Sequence, residues 1–388
     1  MLDREWLLHK ILRLCPPLIL AGYLAKKTYT LFFQPFKGSD FLEFWVAVRM
    51  TLAGKGVQIY NFGQFQQALA AAAGGEFLTP WFYPPVFLLM VLPFGYLPYY
   101  AALGLWVAIS LGGYLWVMRA IAPHPLTLWL ALAFPGVLVN LDYGQNGLLS
   151  TALLGGGLVL LRRSPYLAGA LLGVLWYKPN LALLIPVALL AGRCWRALGA
   201  SLATAALLSL VSGLVLGWDL WLAFLANLSQ PMEALKTGAA ALEQMPTVFS
   251  LVRMAGGSVA VAHVLQTIVA LAALGVTVWA WAREAPWVIR ASLLVLGTLL
   301  FTPYASQYEL ARLALPLAWV GWEVARRGGG SGEKLFLWLG WLTPLLSMAL
   351  ATAHLVQITP LFLMGFAYLI ATAPGLWSPR REDPCLDA

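Results

Sequence analysis

The chain has 388 residues, of which 61% are hydrophobic and only 10% charged, whereas a soluble domain carries about 25% charged residues. That balance excludes a soluble enzyme. The net charge of +8 does not point to nucleic acid either, because the Arg and Lys residues sit in short loops between apolar runs, where they record orientation in a membrane. Apolar runs recur from end to end with short polar breaks, so residues 1–388 read as one polytopic, all-α membrane domain with no soluble catalytic domain attached.

Arg4, Lys10 and Arg13 lead into the apolar run 11–25, and no small-residue cleavage site follows before Lys26, so the start reads as an uncleaved anchor. A long loop, 26–82, comes next. In it Phe41, Phe44, Trp45, Val48 and Leu52 recur at helical spacing beside Glu43 and Arg49, which predicts an amphipathic helix lying on the membrane surface. Gln64 to Ala73 predicts a second short helix, and Trp81, Phe82 and Tyr83 an aromatic interface cluster where the chain returns to the bilayer.

The further candidate spans are 84–118, 126–141, 146–161, 166–177, 180–192, 197–216, 259–282, 287–302, 308–325, 335–351 and 354–372, giving about twelve crossings. Gly95 and Pro98 divide the run 84–118, which is read as one kinked crossing, since two would invert everything downstream. Basic clusters set the orientation: the N-terminus, Arg119, Arg162-Arg163, Arg193 with Arg196, Arg283 with Arg290, Arg326-Arg327 with Lys334, and Arg380-Arg381 are placed inside. Both termini, including the tail 373–388, are then cytoplasmic in a plasma membrane. Loop 26–82, the tips Asp142 to Gly147 and Trp176 to Asn180, loop 217–258, Thr302 to Glu309 and the region of His354 share the outer face. Trp218, Trp221, Phe224 and Phe249 predict that loop 217–258 rests on that surface. Cys15, Cys194 and Cys385 are far apart, so neither a disulfide framework nor a zinc site is expected.

The stretch Gly38-Ser39-Asp40-Phe41-Leu42-Glu43 puts two carboxylates just outside the first span of a chain with few acids. A carboxylate there can take the proton of a sugar hydroxyl attacking an anomeric carbon. It can equally cap the helix beginning at Phe41, with Glu43 as the third-position member of a capping box or as a supporting residue on the same face. Lys178 stands isolated in an apolar neighbourhood, as a functional cation or as a lysine snorkelling to the interface. Asp142, Gln145 and Asn146 form one hairpin tip and Tyr304, Gln307 and Glu309 another; each is a candidate for sugar hydroxyls or an ordinary polar turn.

In order along the chain come Asp40-Phe41, Gly54 to Tyr60, Tyr83-Pro84-Pro85 opening a span, Gly144-Gln145-Asn146, Lys178-Pro179, and Thr302-Pro303-Tyr304 leading to Tyr308-Glu309-Leu310. This series resembles glycosyltransferase family 87, the polyprenol-phosphate-mannose-dependent mannosyltransferases of the GT-C superfamily, over about two-thirds of the chain. The resemblance implies a GT-C-type helical bundle, a polyprenyl-phosphate-linked donor, mannose transfer with inversion, and a glycolipid or glycan acceptor of the cell envelope. It also implies that Asp40, in the first outer loop, is the general base, and that Glu43 supports it. The final fragment departs from the family's Tyr-Asp-Leu, with Glu309 where the aspartate is expected.

No Asp-x-Asp motif of the kind that holds a metal–nucleotide-sugar complex occurs in the sequence, which favours a lipid-linked donor and gives no reason to expect a metal or other cofactor. The donor's phosphate needs a cation once partly desolvated; Lys178 and Arg253 are the candidates, with Arg312 a further cation near that face. The competing readings are a transporter or lipid-sugar flippase, and a non-catalytic assembly subunit. Repeats with matching interrupted helices would mark a transporter, and the sequence shows none; in an assembly subunit Asp40 would be dispensable.

Overall fold

The computed structural model describes residues 4–33, 40–75, 79–238 and 240–376. Gly38, Ser39, Arg380-Arg381 and Cys385 lie outside the described residues. Among the described residues there is no strand, so the protein is all-helical. Four helices among the described residues are long and apolar enough to cross a membrane: Tyr99–Ile121, Trp195–Leu216, Val259–Ala282 and Ser331–Thr352. A fifth span results if Pro125–Leu132 and Pro135–Tyr143, bent by 51° at their junction, count together.

Where the sequence predicts about twelve crossings, the run 11–25 lies within the 30-residue helix Arg4–Phe33, but most of the others form helices of 10–17 residues such as Gly147–Leu160 and Trp287–Phe301. At about 1.5 Å rise per residue these are too short for a straight crossing of a core about 30 Å thick. The proximate cause is proline. Pro135, Pro165 and Pro179 each stand in the first turn of a new helix, where the fixed φ and missing N–H are tolerated, and each breaks the apolar run it interrupts. The run 84–118 is likewise divided into helix Pro85–Val91, a tight turn at Leu92–Tyr96 and helix Tyr99–Ile121.

The helix after Asp40 corrects the expectation of a surface-lying element. In Phe41–Leu52, the residues Phe41, Leu42, Glu43, Phe44, Val46, Ala47 and Val48 are all buried. Gly95 makes this possible, because a Cβ there would run into the Val48 side chain. Trp45 Nε1 donates to the Leu97 carbonyl at 3.0 Å, fastening the helix to the same turn.

Trp81 and Tyr83 do not form an interface belt either. Both are buried and surround Phe44 with Phe87 and Trp106, at ring-centroid separations from 4.8 to 6.3 Å. Edge-to-face pairs of this kind contribute about 0.5–1.5 kcal/mol each beyond burial. An apolar stripe predicts a buried face, but it does not say whether lipid or protein covers it.

The two long loops meet. Phe224 of helix Trp218–Ala226 packs on Tyr60 at 6.2 Å, while Trp218, Leu222 and Leu225 of the same helix face outward. Among the described residues Cys15 is a free cysteine.

Candidate functional site

Asp40 occupies the N-cap position of helix Phe41–Leu52, yet its side chain makes no capping hydrogen bond. The carboxylate turns instead to the Gly144-Gln145-Asn146 tip, where Gln145 Nε2 donates to Asp40 Oδ2 at 3.1 Å. The capping box is absent as well, because Glu43 Oε2 accepts from the Thr79 hydroxyl at 3.3 Å. The local context that makes Asp40 a good cap is therefore not used, and a carboxylate freed from that duty is available for chemistry.

A hydrogen-bonded chain runs inward from this tip. Tyr83 Oη donates to Gln145 Oε1 at 3.4 Å. Asn146 Nδ2 donates to Tyr83 Oη at 2.9 Å, and Lys178 Nζ donates to Asn146 Oδ1 at 2.9 Å. Lys178 is also ion-paired with Glu309, and its ammonium lies 4.8 Å from the Tyr308 ring and 5.6 Å from the Tyr83 ring. Aromatic faces at such distances favour a cation that has left bulk water.

Local sequence explains the placement. The Tyr83-Pro84-Pro85 dipeptides force extended backbone before helix Pro85–Val91, and the Tyr83 carbonyl is pinned by the Tyr60 hydroxyl at 2.8 Å. Lys178, followed by Pro179, sits in a break between two short helices, which exposes its side chain to the tip of the neighbouring hairpin. The start of helix Gly147–Leu160 abuts the Gln307–Leu313 turn so closely that a Cβ on Gly147 would overlap the Tyr308 carbonyl and the Asn140 amide. Asn140 closes the junction, donating through Nδ2 to the Tyr308 carbonyl and accepting from Leu148 N–H at 3.2 Å. Gly147→Ala is thus expected to cost about 1–3 kcal/mol through overpacking. A drop in melting temperature together with lost activity checks this; an unchanged melting temperature would show that the junction is not tight.

Burial acts on both Asp40 and Glu43. Burial raises the Asp40 carboxyl to about 6, partly offset by the Gln145 hydrogen bond. Burial, and then the neighbouring Asp40 charge, push Glu43 well above its ordinary range. Two nearby acids with diverging basicities allow one to remain protonated while the other acts as a base.

Several candidates are directed elsewhere. Asp142 is ion-paired with Lys26 at 2.7 Å and Lys27 at 2.5 Å, tying the first helix to the hairpin tip. Arg253 donates to the Gly257 carbonyl at 2.7 Å, within its own helix end. Gln307 donates to the Glu243 carbonyl at 2.8 Å and so joins loop 217–258 to the Thr302–Glu309 tip. Tyr304 packs on Phe82 at 5.7 Å, and its carbonyl accepts from Asn180 Nδ2 at 2.8 Å.

The residues the sequence underweighted are Tyr83, Asn140, Tyr308 and Arg312. Arg312 stands three residues after Glu309, at ion-pair spacing on a helical turn, and that spacing was its available signal. A cavity of about 390 Å³ lies apart from these groups, lined by apolar residues including Tyr114, Leu130, Phe134, Leu317 and Trp338. No group of three or more His, Cys, Asp or Glu side chains able to hold a metal occurs among the described residues.

A helical membrane protein with a buried acid–amide–lysine chain at one set of hairpin tips is the class defined so far. Residues 81–303 match the sequence profile of glycosyltransferase family 87, and the chain belongs to that family. Comparison with curated proteins and with solved structures finds no match. The matched segment includes Tyr83, Gln145, Asn146 and Lys178 but begins after Asp40 and Glu43, so the proposed part of those two rests on their hydrogen bonds and burial.

Proposed function

We propose that this membrane glycosyltransferase moves a sugar, with mannose the first candidate, from a polyprenyl-phosphate donor to a glycolipid or glycan acceptor at the outer face of the cell membrane. The acceptor hydroxyl oxygen attacks the anomeric carbon and gives its proton to Asp40. The bond from that carbon to the phosphate oxygen breaks, and polyprenyl phosphate leaves with the electron pair, inverting the anomeric centre. Glu43, its carboxyl pushed up by burial and then by the Asp40 charge, supports Asp40 as the ionised member of the pair; Gln145 orients Asp40. Lys178 meets the leaving phosphate, supported by Asn146 and the Tyr83 and Tyr308 rings.

The observation carrying this reading is the uncapped Asp40 carboxylate, joined through Gln145, Tyr83 and Asn146 to a partly desolvated lysine. A transporter needs no such base.

The test is transfer from a polyprenyl-phosphate sugar across pH. A base must be ionised to work, so with its carboxyl raised to about 6 the rate should be full above that pH and fall about tenfold per pH unit well below it. A profile flat down to about pH 4.5, with the chemical step rate-limiting, would sink Asp40 as the base.

A further inference from the structure

Glu309 lies between two cations. One carboxylate oxygen is paired with Lys178, and the other, Oε2, is 3.4 Å from Arg312 Nε. The second contact is incomplete: Oε2 has no hydrogen-bond partner, and neither has Nε, Nη1 or Nη2 of Arg312. The side chains of Glu309 and Arg312 are each 1% exposed and that of Lys178 is 10% exposed. A buried guanidinium with no hydrogen bond is costly to keep, and Glu309 Oε2 stands 3.4 Å from its Nε without closing one.

We propose that Arg312 is a positioning residue that receives Glu309 when an anion takes its place on Lys178. This rests on the reading of Lys178 as the cation for the donor's phosphate. Without lipid phosphate, Glu309 neutralises Lys178 inside the bundle. When the phosphate arrives from the Asp40 side, it competes with Glu309 for the ammonium; Glu309 shifts to Arg312 and completes the bond left open there. The Asn146 contact to Lys178 need not change. Arg312 therefore never touches the substrate, yet it lowers the cost of removing Glu309. The length of the glutamate side chain lets one carboxylate reach both cations.

Binding of a polyprenyl monophosphate to the purified full chain in detergent micelles tests the inference without requiring turnover. Glu309→Gln removes the competing charge and should tighten binding about fivefold or more; Arg312→Met leaves Glu309 no alternative partner and should weaken it about tenfold. In the Glu309→Gln background, Arg312→Met should change binding less than about twofold, since the carboxylate it serves is gone. The same tenfold loss in both backgrounds would assign Arg312 a purely structural role and overturn the proposal. If Arg312→Met does not fold, Glu309→Gln decides alone, and unchanged or weaker binding overturns the inference. Lys178→Met separates the two levels. Unchanged binding in that variant removes the phosphate reading itself, whereas lost binding with a neutral Arg312→Met removes only the role of Arg312.

Discussion

Asp40→Asn is expected to abolish sugar transfer while leaving the fold in place. The carboxamide oxygen can still accept from Gln145 Nε2, which donates to Asp40 Oδ2 at 3.1 Å, and no capping bond is lost because none is made. Stability should therefore change little. The proton of the attacking hydroxyl loses its acceptor, and general-base catalysis contributes about 10²–10⁴ in rate. The loss should appear in kcat, with the melting temperature and polyprenyl phosphate binding near those of the native protein. Transfer within a few-fold of native by folded Asp40→Asn protein would return Asp40 to being a mere N-terminal residue of its helix.

Lys178→Met should be the second largest effect. The departing phosphate would meet no cation, and deleting one group that stabilises developing charge costs about 2.7–4 kcal/mol of barrier, or about 10²–10³ in rate. Removing one partner of a buried ion pair ordinarily destabilises by about 3–5 kcal/mol. Here the loss of stability should be smaller, because Arg312 Nε stands 3.4 Å from Glu309 and can take the stranded carboxylate. Lys178→Arg should recover only part of the activity, since a planar guanidinium does not occupy the space of a compact ammonium between the Tyr83 and Tyr308 rings. Transfer kinetics alongside thermal unfolding check both halves; native-like kcat in Lys178→Met would exclude the lysine from the reaction.

Much of the site could be read from the sequence because polar residues are scarce in it. Asp40, Gln145, Asn146, Lys178 and Glu309 each interrupt or border an apolar run, and each belongs to the connected network. Asp142, Arg253 and Gln307 looked equally eligible but take other partners, and nothing local distinguishes them. Their neighbours are Lys26, Gly257 and Glu243, and only the packing of the hairpins decides which polar tip meets which.

The amino-acid sequence alone determined that this is a polytopic helical protein, where its apolar runs break, and which few polar residues could carry chemistry. These follow from composition and from proline and glycine positions, which act within a turn or two of the chain. Tertiary structure alone decided that the Asp40 helix is buried against Gly95 instead of lying on the surface, that Asp40 leaves its capping position for Gln145, and that Glu309 is shared between Lys178 and Arg312. Those outcomes depend on contacts between residues far apart in sequence, 105 positions in the case of Asp40 and Gln145 and 131 for Lys178 and Glu309. Periodicity and local propensity act over a few residues and do not reach across such separations.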